Sequence, residues 1–488
     1  MNRRLRTFLI LFGWPLAFFV VALIYLLFCW EENRRGAKEW ADCQAQLKAR
    51  GELFDLRELI PPGREEDDLS KVPIFAPLYA DDNGTGAAIH KVSIYPSSAS
   101  NAIQPKNPDH FKGESTDLSA WQKYYFEAGA CKPAAKSETS AQTVLRVLSQ
   151  FDPQFDAVKA AMDNPRAYWP INYDNPLSAQ LGSITLAFCL TKVLNLRVVA
   201  HLENQEPDLA EKDIVLALRF NPPLEKQLFD GYLVAAAVFA LDEGALWEGL
   251  HRHAWNAAQL GEIERAFSDG DMLKNVAASL RQERAFCLLT MTFLQRSEGR
   301  KYLGVALTGL GENSSNEISL TSTGWILARL FLEYQPAGWW DIDKANFTIS
   351  CQERLDVIQA ERQFVDITRL AKIEGKDDEK LCLLLRQLPS LFESGLLQGA
   401  RAEANRRFAC LACRLEEYRL AHGHYPDKLA DLPDLPAHLN QEVTNEAPLH
   451  YARKGDTYLL YSIGWNQKDD GGVVASDKKE GDWTWPSP

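Results

Sequence analysis

The sequence lacks a set of cysteines that could cross-link it. Nine cysteines are scattered along the 488 residues, an odd number without regular spacing. Such a sparse set is not the disulfide framework of a small secreted domain. Most of these cysteines have apolar neighbours, among which a thiol packs as a small hydrophobic group. The chain is therefore expected to fold around a large apolar core, and it is long enough for two or three domains.

The chain also lacks an excess of positive charge. It carries 66 Asp and Glu against 53 Lys and Arg, a formal net charge of -13 at pH 7. This acidic balance argues against a nucleic-acid-binding protein and against a basic patch that holds anionic lipid. With 46% hydrophobic and 24% charged residues, the composition is otherwise that of an ordinary globular protein. Composition therefore excludes partners without naming one.

Recognised catalytic signatures are missing as well. We find no G-x-S-x-G, H-E-x-x-H or S-x-x-K motif in a convincing setting, and no glycine-rich phosphate-binding loop. The sequence assigns no catalytic residue and no organic cofactor. Catalytic groups can converge from distant positions, so an extracytoplasmic hydrolase with an unrecognised site stays open as an alternative.

A long apolar run is present near the start. Residues 7–30 contain no charge, and at ~1.5 Å per residue a helix of that length spans the ~30 Å hydrocarbon core of a bilayer. Arg3, Arg4 and Arg6 precede the run, which is typical of a signal-anchor, and no A-x-A-like cleavage site follows it. We predict a single-pass protein of the bacterial inner membrane, with residues 1–30 as cytoplasmic tail and anchor and the remainder extracytoplasmic.

The remaining chain predicts a mainly α-helical protein in several parts. Residues 31–52 continue as a helical stalk, and residues 53–136, rich in Pro, Gly and Asp, form an irregular strap. Residues 137–400 read as helices joined by short links, which favours a stack of helical hairpins. Lys192 and Arg197 interrupt the apolar run at 181–199, so we expect a buried core helix there and not a second membrane span.

Two details of this helical body depend on local patterns. We expect helices at about 207–220, 224–242, 244–260 and 271–297, followed by an irregular insertion over 299–349. In that insertion Trp339 and Trp340 stand in a turn, where they either cap a core or form a ligand platform. Helices resume at about 351–373 and 379–397.

The C-terminal segment, 401–488, predicts a small α+β module. Ala404, Phe408, Leu411, Leu415 and Tyr418 alternate steps of four and three, which places them on one stripe of an amphipathic helix over 402–422. The runs at 449–453 and 457–463 are strand-like. The Gly between them suits a three-residue hairpin loop.

Two resemblances rest on quoted stretches of sequence. The segments 418–426, 449–451, 460–464 and Asp469-Asp470-Gly471-Gly472 together resemble the C-terminal half of the major type II secretion pseudopilins. Over nearly its whole length the chain resembles a group of single-pass bacterial envelope proteins of unknown function, through residues 50–52, 61–62, 73–78, 283–286 and 461–466. The anchor carries no pilin leader, so the resemblance implies a pseudopilin-like module on a fixed anchor.

The pseudopilin resemblance implies a calcium site in the loop after the last strands. Calcium takes six to eight oxygen ligands from a flexible loop. Asp469, Asp470 and Asp477 are the candidate ligands, with Asp482 as a further possibility. Zinc is not expected from Cys410 and Cys413, because helical geometry separates them from the nearest histidines.

These observations favour a non-enzymatic, membrane-anchored envelope protein that binds or scaffolds another protein. The partner would be a protein of unknown identity, and no nucleic acid is expected. An exposed aromatic patch would support this interpretation. Trp483 and Trp485 are candidates for it, although we expect at least one of them to pack onto the hairpin. A buried polar cluster with shifted pKa values in a cleft would instead favour the hydrolase.

Overall fold

The computed structural model describes residues 14–60, 63–76, 103–133, 137–164, 166–171, 182–296, 335–373, 388–475, 477 and 479–486. Across these ranges the protein is mainly helical with a small C-terminal sheet, as the sequence predicts. The three arginines that precede the apolar run lie outside them. So do Pro61, Pro62, residues 77–102 and 299–334 of the irregular stretches, and residues 379–387 of the helix predicted at 379–397.

The helices, numbered in chain order, are the following: α1 Trp14–Lys48, α2 Leu56–Leu59, α3 Leu118–Glu127, α4 Ser140–Leu148, α5 Asp152–Met162, α6 Gly182–Glu203, α7 Pro207–Leu218, α8 Asn221–Glu225, α9 Leu228–His251, α10 Ala257–Ser268, α11 Met272–Gln295, α12 Ala337–Leu355, α13 Ile367–Ile373 and α14 Leu388–His422. The strands are β1 Ile358–Gln359, β2 Phe364–Val365, β3 His450–Lys454, β4 Thr457–Ser462 and β5 Trp483–Trp485. These elements divide between two compact units. Unit 1 comprises Met1–Leu59, Arg284–Asp356 and Lys372–Phe392, and unit 2 comprises Ile60–Glu283, Val357–Ala371 and Glu393–Pro488.

Unit 1 contains the apolar helix. An apolar window of α1 is long enough to cross a membrane and is 0% buried, and the helix then continues without a break through the predicted stalk. The second helix of sufficient length and hydropathy is α6, whose apolar window is 72% buried. This burial agrees with the prediction of a core helix at 181–199.

The continuation of α1 packs against α12 through two glycines. A Cβ atom on Gly36 would lie 2.0 Å from the carbonyl oxygen of Gly338, and a Cβ on Gly338 would lie 2.1 Å from that of Glu32. Only glycine permits so close a backbone approach. Trp339 Nε1 donates to Glu32 Oε2 at 2.7 Å, which ties the two helices together.

The prediction of an irregular turn at Trp339 and Trp340 is wrong. Both residues lie in the first turn of α12, and Trp340 is buried. The continuous helix predicted for 351–373 is also wrong, because α12 ends at Leu355 and the short antiparallel pair β1 and β2 precedes α13. Pro336 precedes the helix, and Gln363, at a φ of 56°, lies in the turn between β1 and β2.

Unit 2 is built around α6. The apolar side chains of α6 form the middle of a cluster with α3, α4, α5, α7 and α9. The helices predicted at 224–242 and 244–260 have other bounds, because α9 runs to His251 and α10 begins at Ala257. The chain turns at His253, whose φ is 50°, and Asn256 and Gln259 form a capping box that begins α10.

The C-terminal sheet agrees with the predicted hairpin. Strands β3 and β4 are antiparallel, with Lys454 opposite Thr457 and His450 opposite Tyr461. Strand β5 adds to the other side of β4, where Trp483 faces Ser462 and Trp485 faces Leu460. The tail tryptophans are 3% and 1% exposed. They therefore do not form the exposed aromatic patch that the sequence suggested.

The helices predicted at 379–397 and 402–422 join in one helix, α14, which is buried more completely than predicted. It starts at Leu388, and the predicted stripe of Ala404, Phe408, Leu411 and Leu415 has no exposure. Residues off that stripe are buried as well, among them Cys410, Glu403 and the pair Arg406–Arg407. The helix is thus enclosed on all sides over this stretch, and the amphipathic reading of it is wrong.

Candidate functional site

A cavity of about 330 Å³ lies in unit 2 beside the two central helices α6 and α9. Residues 107–116, which precede α3, form the opposite wall. Most of the lining is apolar and includes Trp121, Leu196, Val199 and Leu241. We call this space the His110 cavity, after the histidine in its wall. Its size falls at the lower end of the range for ligand pockets, about 300–1,000 Å³.

Specific contacts hold the covering segment in place. The Thr116 amide donates to Glu248 Oε1 at 2.5 Å, and the other oxygen of Glu248 accepts from Arg252 at 2.6 Å. The imidazole of His110 lies against Gly244 of α9, where a Cβ atom would come within 3.2 Å of Nδ1. A side chain at position 244 would therefore press on the ring. Because Gly244 has no side chain, the imidazole ring can pack directly against α9.

His110 is a neutral histidine at physiological pH. Burial lowers its pKa to about 4, and the charge of Asp109 opposes this shift only in part. Its Nε2 atom is buried and has no hydrogen-bond partner in the described structure. Because an unpaired buried polar atom costs free energy, this nitrogen is a candidate for contact with a ligand.

Two buried carboxyl groups lie next to each other on α9, close to the cavity lining. Asp242 Oδ1 accepts from Asn195 Nδ2 at 2.8 Å, and Glu243 Oε2 accepts from Asn405 Nδ2 at 2.9 Å. Burial raises the pKa of both groups well above the usual range, and the hydrogen bonds from the two amides offset it only in part. Arg401 also favours the charged form of Glu243. Its guanidinium group lies 5.9 Å from the ring of Phe111 in the covering segment.

These groups give the cavity a particular chemistry. The neutral imidazole of His110 and the amide of Asn195 line the cavity and offer hydrogen bonds without a full charge. The carboxyl group of Asp242 is linked to this lining through its hydrogen bond from Asn195. The acidic residues of the lining already have partners: Glu248 accepts from Thr116 and Arg252, Asp109 pairs with Lys112, and Glu114 pairs with Lys106. The arrangement therefore suits a mostly apolar group that carries one polar atom.

The predicted calcium ligands lie elsewhere, in the loop after β4. Asp469 Oδ1 accepts from the Tyr461 hydroxyl and the Gly471 amide, both at 2.9 Å. Asp477 accepts from the Lys479 amide at 2.9 Å. Asp482 turns inward and accepts from the amides of Asp470 and Gly472, at 3.1 and 2.6 Å.

No group of three or more His, Cys, Asp or Glu side chains in the described ranges is arranged to hold a metal ion. The calcium site at Asp469, Asp470 and Asp477 stays a prediction. Some of the carboxylate oxygens of Asp469 and Asp477 already accept hydrogen bonds from backbone amides and from the Tyr461 hydroxyl. Cys410 and Cys413 are buried free thiols, and burial raises the pKa of both.

Sequence reasoning missed the residues of the His110 cavity. His110 falls in the stretch read as an irregular strap, where nothing in the pattern marks it. Asp242 and Glu243 did carry a signal, because they stand in the middle of the apolar run 232–247. Acidic residues are almost never fully buried unless they have a partner, so an acidic pair inside such a run indicates a buried polar site.

Comparison with known proteins adds no relative. No protein-family model matches the chain, and neither a curated protein nor a solved structure is significantly similar to it. The resemblance to the pseudopilin C-terminal region and to the envelope protein group therefore stays a prediction from the quoted residues.

Proposed function

We propose that this protein is a non-enzymatic, membrane-anchored protein of the bacterial envelope that holds a partner protein at the His110 cavity. The observation that carries the proposal is the cavity itself, an apolar recess of about 330 Å³ walled by α6, α9 and residues 107–116. In this proposal α1 spans the inner membrane with its N-terminus inside. The helices of unit 2 form a stack of hairpins that presents the cavity outside the cytoplasm.

The size and lining of the cavity support a side chain of a partner as its occupant. Large aromatic side chains are the usual anchors of protein interfaces, and they fill desolvated pockets. Trp121, Leu196 and Val199 would contact the apolar face of such a side chain. His110 and Asn195 both line the cavity, and their unpaired polar atoms would meet a single N–H or O–H group.

The first experiment measures binding of indole to the full chain in detergent micelles by calorimetry. Ala240 lines the cavity and Ala237, three residues earlier on α9, is exposed. Ala240→Phe fills the space with a benzyl group and is expected to abolish indole binding. Ala237→Phe adds the same group outside the cavity and is expected to leave binding unchanged.

The second experiment tests for a protein partner in the native membrane. A photoreactive side chain at Asn107, an exposed residue of the cavity wall, is expected to give a defined adduct. The adduct should disappear with Ala240→Phe and persist with Ala237→Phe. Failure of indole to bind, together with identical adducts in both variants, would contradict the proposal.

A hydrolase is the second candidate, favoured by one observation. The neutral imidazole of His110 and the raised-pKa carboxyl of Asp242 belong to the same region of unit 2, and perturbed groups beside a cleft mark many active sites. Turnover of p-nitrophenyl acetate separates the two functions. Hydrolysis that is lost in His110→Gln would establish the enzyme, whereas equal background rates in both proteins support binding alone.

A further inference from the structure

A second cavity, of about 310 Å³, lies in unit 2 among α8, α10 and the start of α11. It is separate from the His110 cavity, and no residue lines both. We call it the Glu225 cavity. The polar members of its wall come mainly from two helix faces. Asn221 and Glu225 are four residues apart on α8, and Asn275 and Gln282 are seven apart on α11, so each pair shares one face of its helix.

The two faces meet in a short hydrogen bond. Asn275 Nδ2 donates to Glu225 Oε2 at 2.7 Å. Because the amide nitrogen of Asn275 points at the carboxylate, the orientation of this side chain is fixed. Ser279, one turn further along α11, donates its hydroxyl to the carbonyl oxygen of Glu225 at 3.5 Å. The carboxylate is thus held at a defined position in the wall.

Two buried acceptors in the wall have no donor among the described residues. Asn221 Oδ1 and Gln282 Oε1 are buried and have no partner in the described structure, and both residues are 6% exposed. Glu225 accepts a single side-chain bond, from Asn275. Buried acceptors of this kind are costly unless something donates to them.

The charged residues of the wall also favour a ligand that donates hydrogen bonds. Glu225 and Asp269 are acidic, and Lys226 is the basic residue of the lining. Burial raises the pKa of Glu225 to about 7, although Asn275 and Lys226 favour its charged form. A cation bound beside Glu225 would supply the missing countercharge. The apolar residues Leu218, Phe239 and Met272 complete the lining and would contact a hydrocarbon body.

We propose that the Glu225 cavity binds a primary alkylammonium group, with the nitrogen donating to Glu225, Asn221 and Gln282 and the alkyl body on the apolar wall. An ammonium group has three N–H donors, which matches the three acceptors. This site goes beyond the proposed function and does not depend on the His110 cavity. The same chemistry is carried by a free amine and by the side chain of a peptide lysine.

The test is calorimetric titration of the full chain in detergent at pH 8, where Glu225 is ionised. n-Butylamine is the probe and n-butanol is its neutral isostere. Butylamine is expected to bind at least about tenfold more tightly, because a hydrogen bond to a charged group is worth more than a neutral one. Affinity for butylamine should fall as the pH is lowered from 8 to 6, since Glu225 gains a proton while the amine stays charged.

Matched variants assign the effect to the site. Glu225→Gln keeps the shape and is expected to weaken butylamine binding by about tenfold or more. Asn221→Leu removes one acceptor and is expected to weaken it less. Glu262→Gln, at an exposed acid of α10 that pairs with Arg265, should leave affinity unchanged. Unfolding midpoints of the variants show that each remains folded.

The two sources of the amine are distinguished by a second ligand. Nα-acetyl-lysine methylamide that binds as well as butylamine identifies a peptide lysine as the natural occupant, and binding of butylamine alone identifies a free amine. Equal affinity for butanol, no butylamine binding at millimolar concentration, or an unchanged affinity in Glu225→Gln would each overturn the proposal.

Discussion

Glu403 and Glu243 both lie on long helices of unit 2, where they are 1% and 0% exposed. The pKa values of their carboxyl groups are nevertheless shifted in opposite directions. Glu403 Oε1 accepts from both Arg406 Nη2 and Arg407 Nε at 2.8 Å. Burial by itself raises the pKa of Glu403, but the hydrogen bonds and charges of these arginines outweigh it and lower the pKa. Burial raises the pKa of Glu243 instead, because the hydrogen bond from the amide of Asn405 and the charge of Arg401 offset the burial only in part.

The difference shows that the partner decides whether a buried carboxyl group keeps its charge. The Glu403 cluster also links the helix to its surroundings, since Arg407 donates to the carbonyl oxygens of Gln441 and Gln363 at 2.7 and 2.6 Å. Such a network organises the fold. A carboxyl group beside a cavity whose partner is an amide, such as Asp242, can instead take up a proton or bind a ligand.

The largest expected effect on the free energy of unfolding comes from removing the charge of Glu403. Glu403→Gln leaves two buried guanidinium groups without a countercharge and is expected to destabilise the protein by about 3–5 kcal/mol. Denaturant unfolding of the full chain in detergent measures it. Glu243→Gln is the matched control and should change stability by less than about 1 kcal/mol, because glutamine keeps the bond to Asn405. Equal losses in the two variants would remove the distinction.

The next effect is a pH dependence at the C-terminal sheet. Glu442 accepts from the Ser462 hydroxyl and from the Ile463 amide, and burial raises its pKa to about 7 in spite of these bonds. The stability that it contributes is complete below its unfolded pKa, near 4.3, and is lost as pH rises through 7. We expect a loss on the order of 3 kcal/mol between pH 5 and 8.

Glu442→Gln tests this assignment by removing the titration. Its stability should fall less steeply over the same pH range than that of the native chain, measured by urea unfolding at intervals of one pH unit. Some slope should remain, because burial also raises the pKa values of Asp213 and Glu225 to about 7. A variant with an unchanged slope would place the titration elsewhere.

A smaller effect is expected in the loop after β4. Asp482 is 1% exposed and accepts from the amides of Asp470 and Gly472. Asp482→Ala leaves these amides without that acceptor and should cost about 1–3 kcal/mol in denaturant unfolding. Asp469 is half exposed, so Asp469→Ala is expected to have the weaker effect. The reverse order would mean that Asp469 and not Asp482 organises the loop.

The calcium prediction is tested on the same loop by thermal unfolding with chelator and with calcium. A bound ion is expected to raise the midpoint, because a ligand that binds the folded state stabilises it. The rise should be lost when Asp469 and Asp470 are both replaced by alanine. An unchanged midpoint in the native chain would leave the loop held by the hydrogen bonds of Asp469, Asp477 and Asp482 alone.

The smallest effect concerns a single hydrogen bond. Tyr425 donates its hydroxyl to Glu416 Oε2 at 2.9 Å, and Glu416 also accepts from Arg419 and lies 2.8 Å from His253 Nδ1. With these other partners in place, Tyr425→Phe should cost about 1 kcal/mol. A loss as large as that of Glu403→Gln would show that Glu416 depends on the tyrosine more than on the arginine.

The sequence by itself determined the features that depend on neighbouring residues. The charge-free run gave the exposed apolar helix, Lys192 and Arg197 marked α6 as a core helix, and Gly455 between two strand-like runs gave the hairpin of β3 and β4. Periodicity and turn chemistry act over a few residues, so they can be read without knowing what packs nearby. This accounts for the mainly helical class and for the small C-terminal sheet.

Only the tertiary structure decided which polar groups are buried and what they meet. Periodicity placed the charged residues of α14 on a solvated face, but Glu403 and the two arginines are enclosed. His110 reaches α9 from a segment without regular pattern, and Asn195 meets Asp242 from 47 residues away. Burial, pKa and cavity shape depend on contacts between distant parts of the chain. Local sequence therefore fixes the elements, and their packing creates the candidate sites.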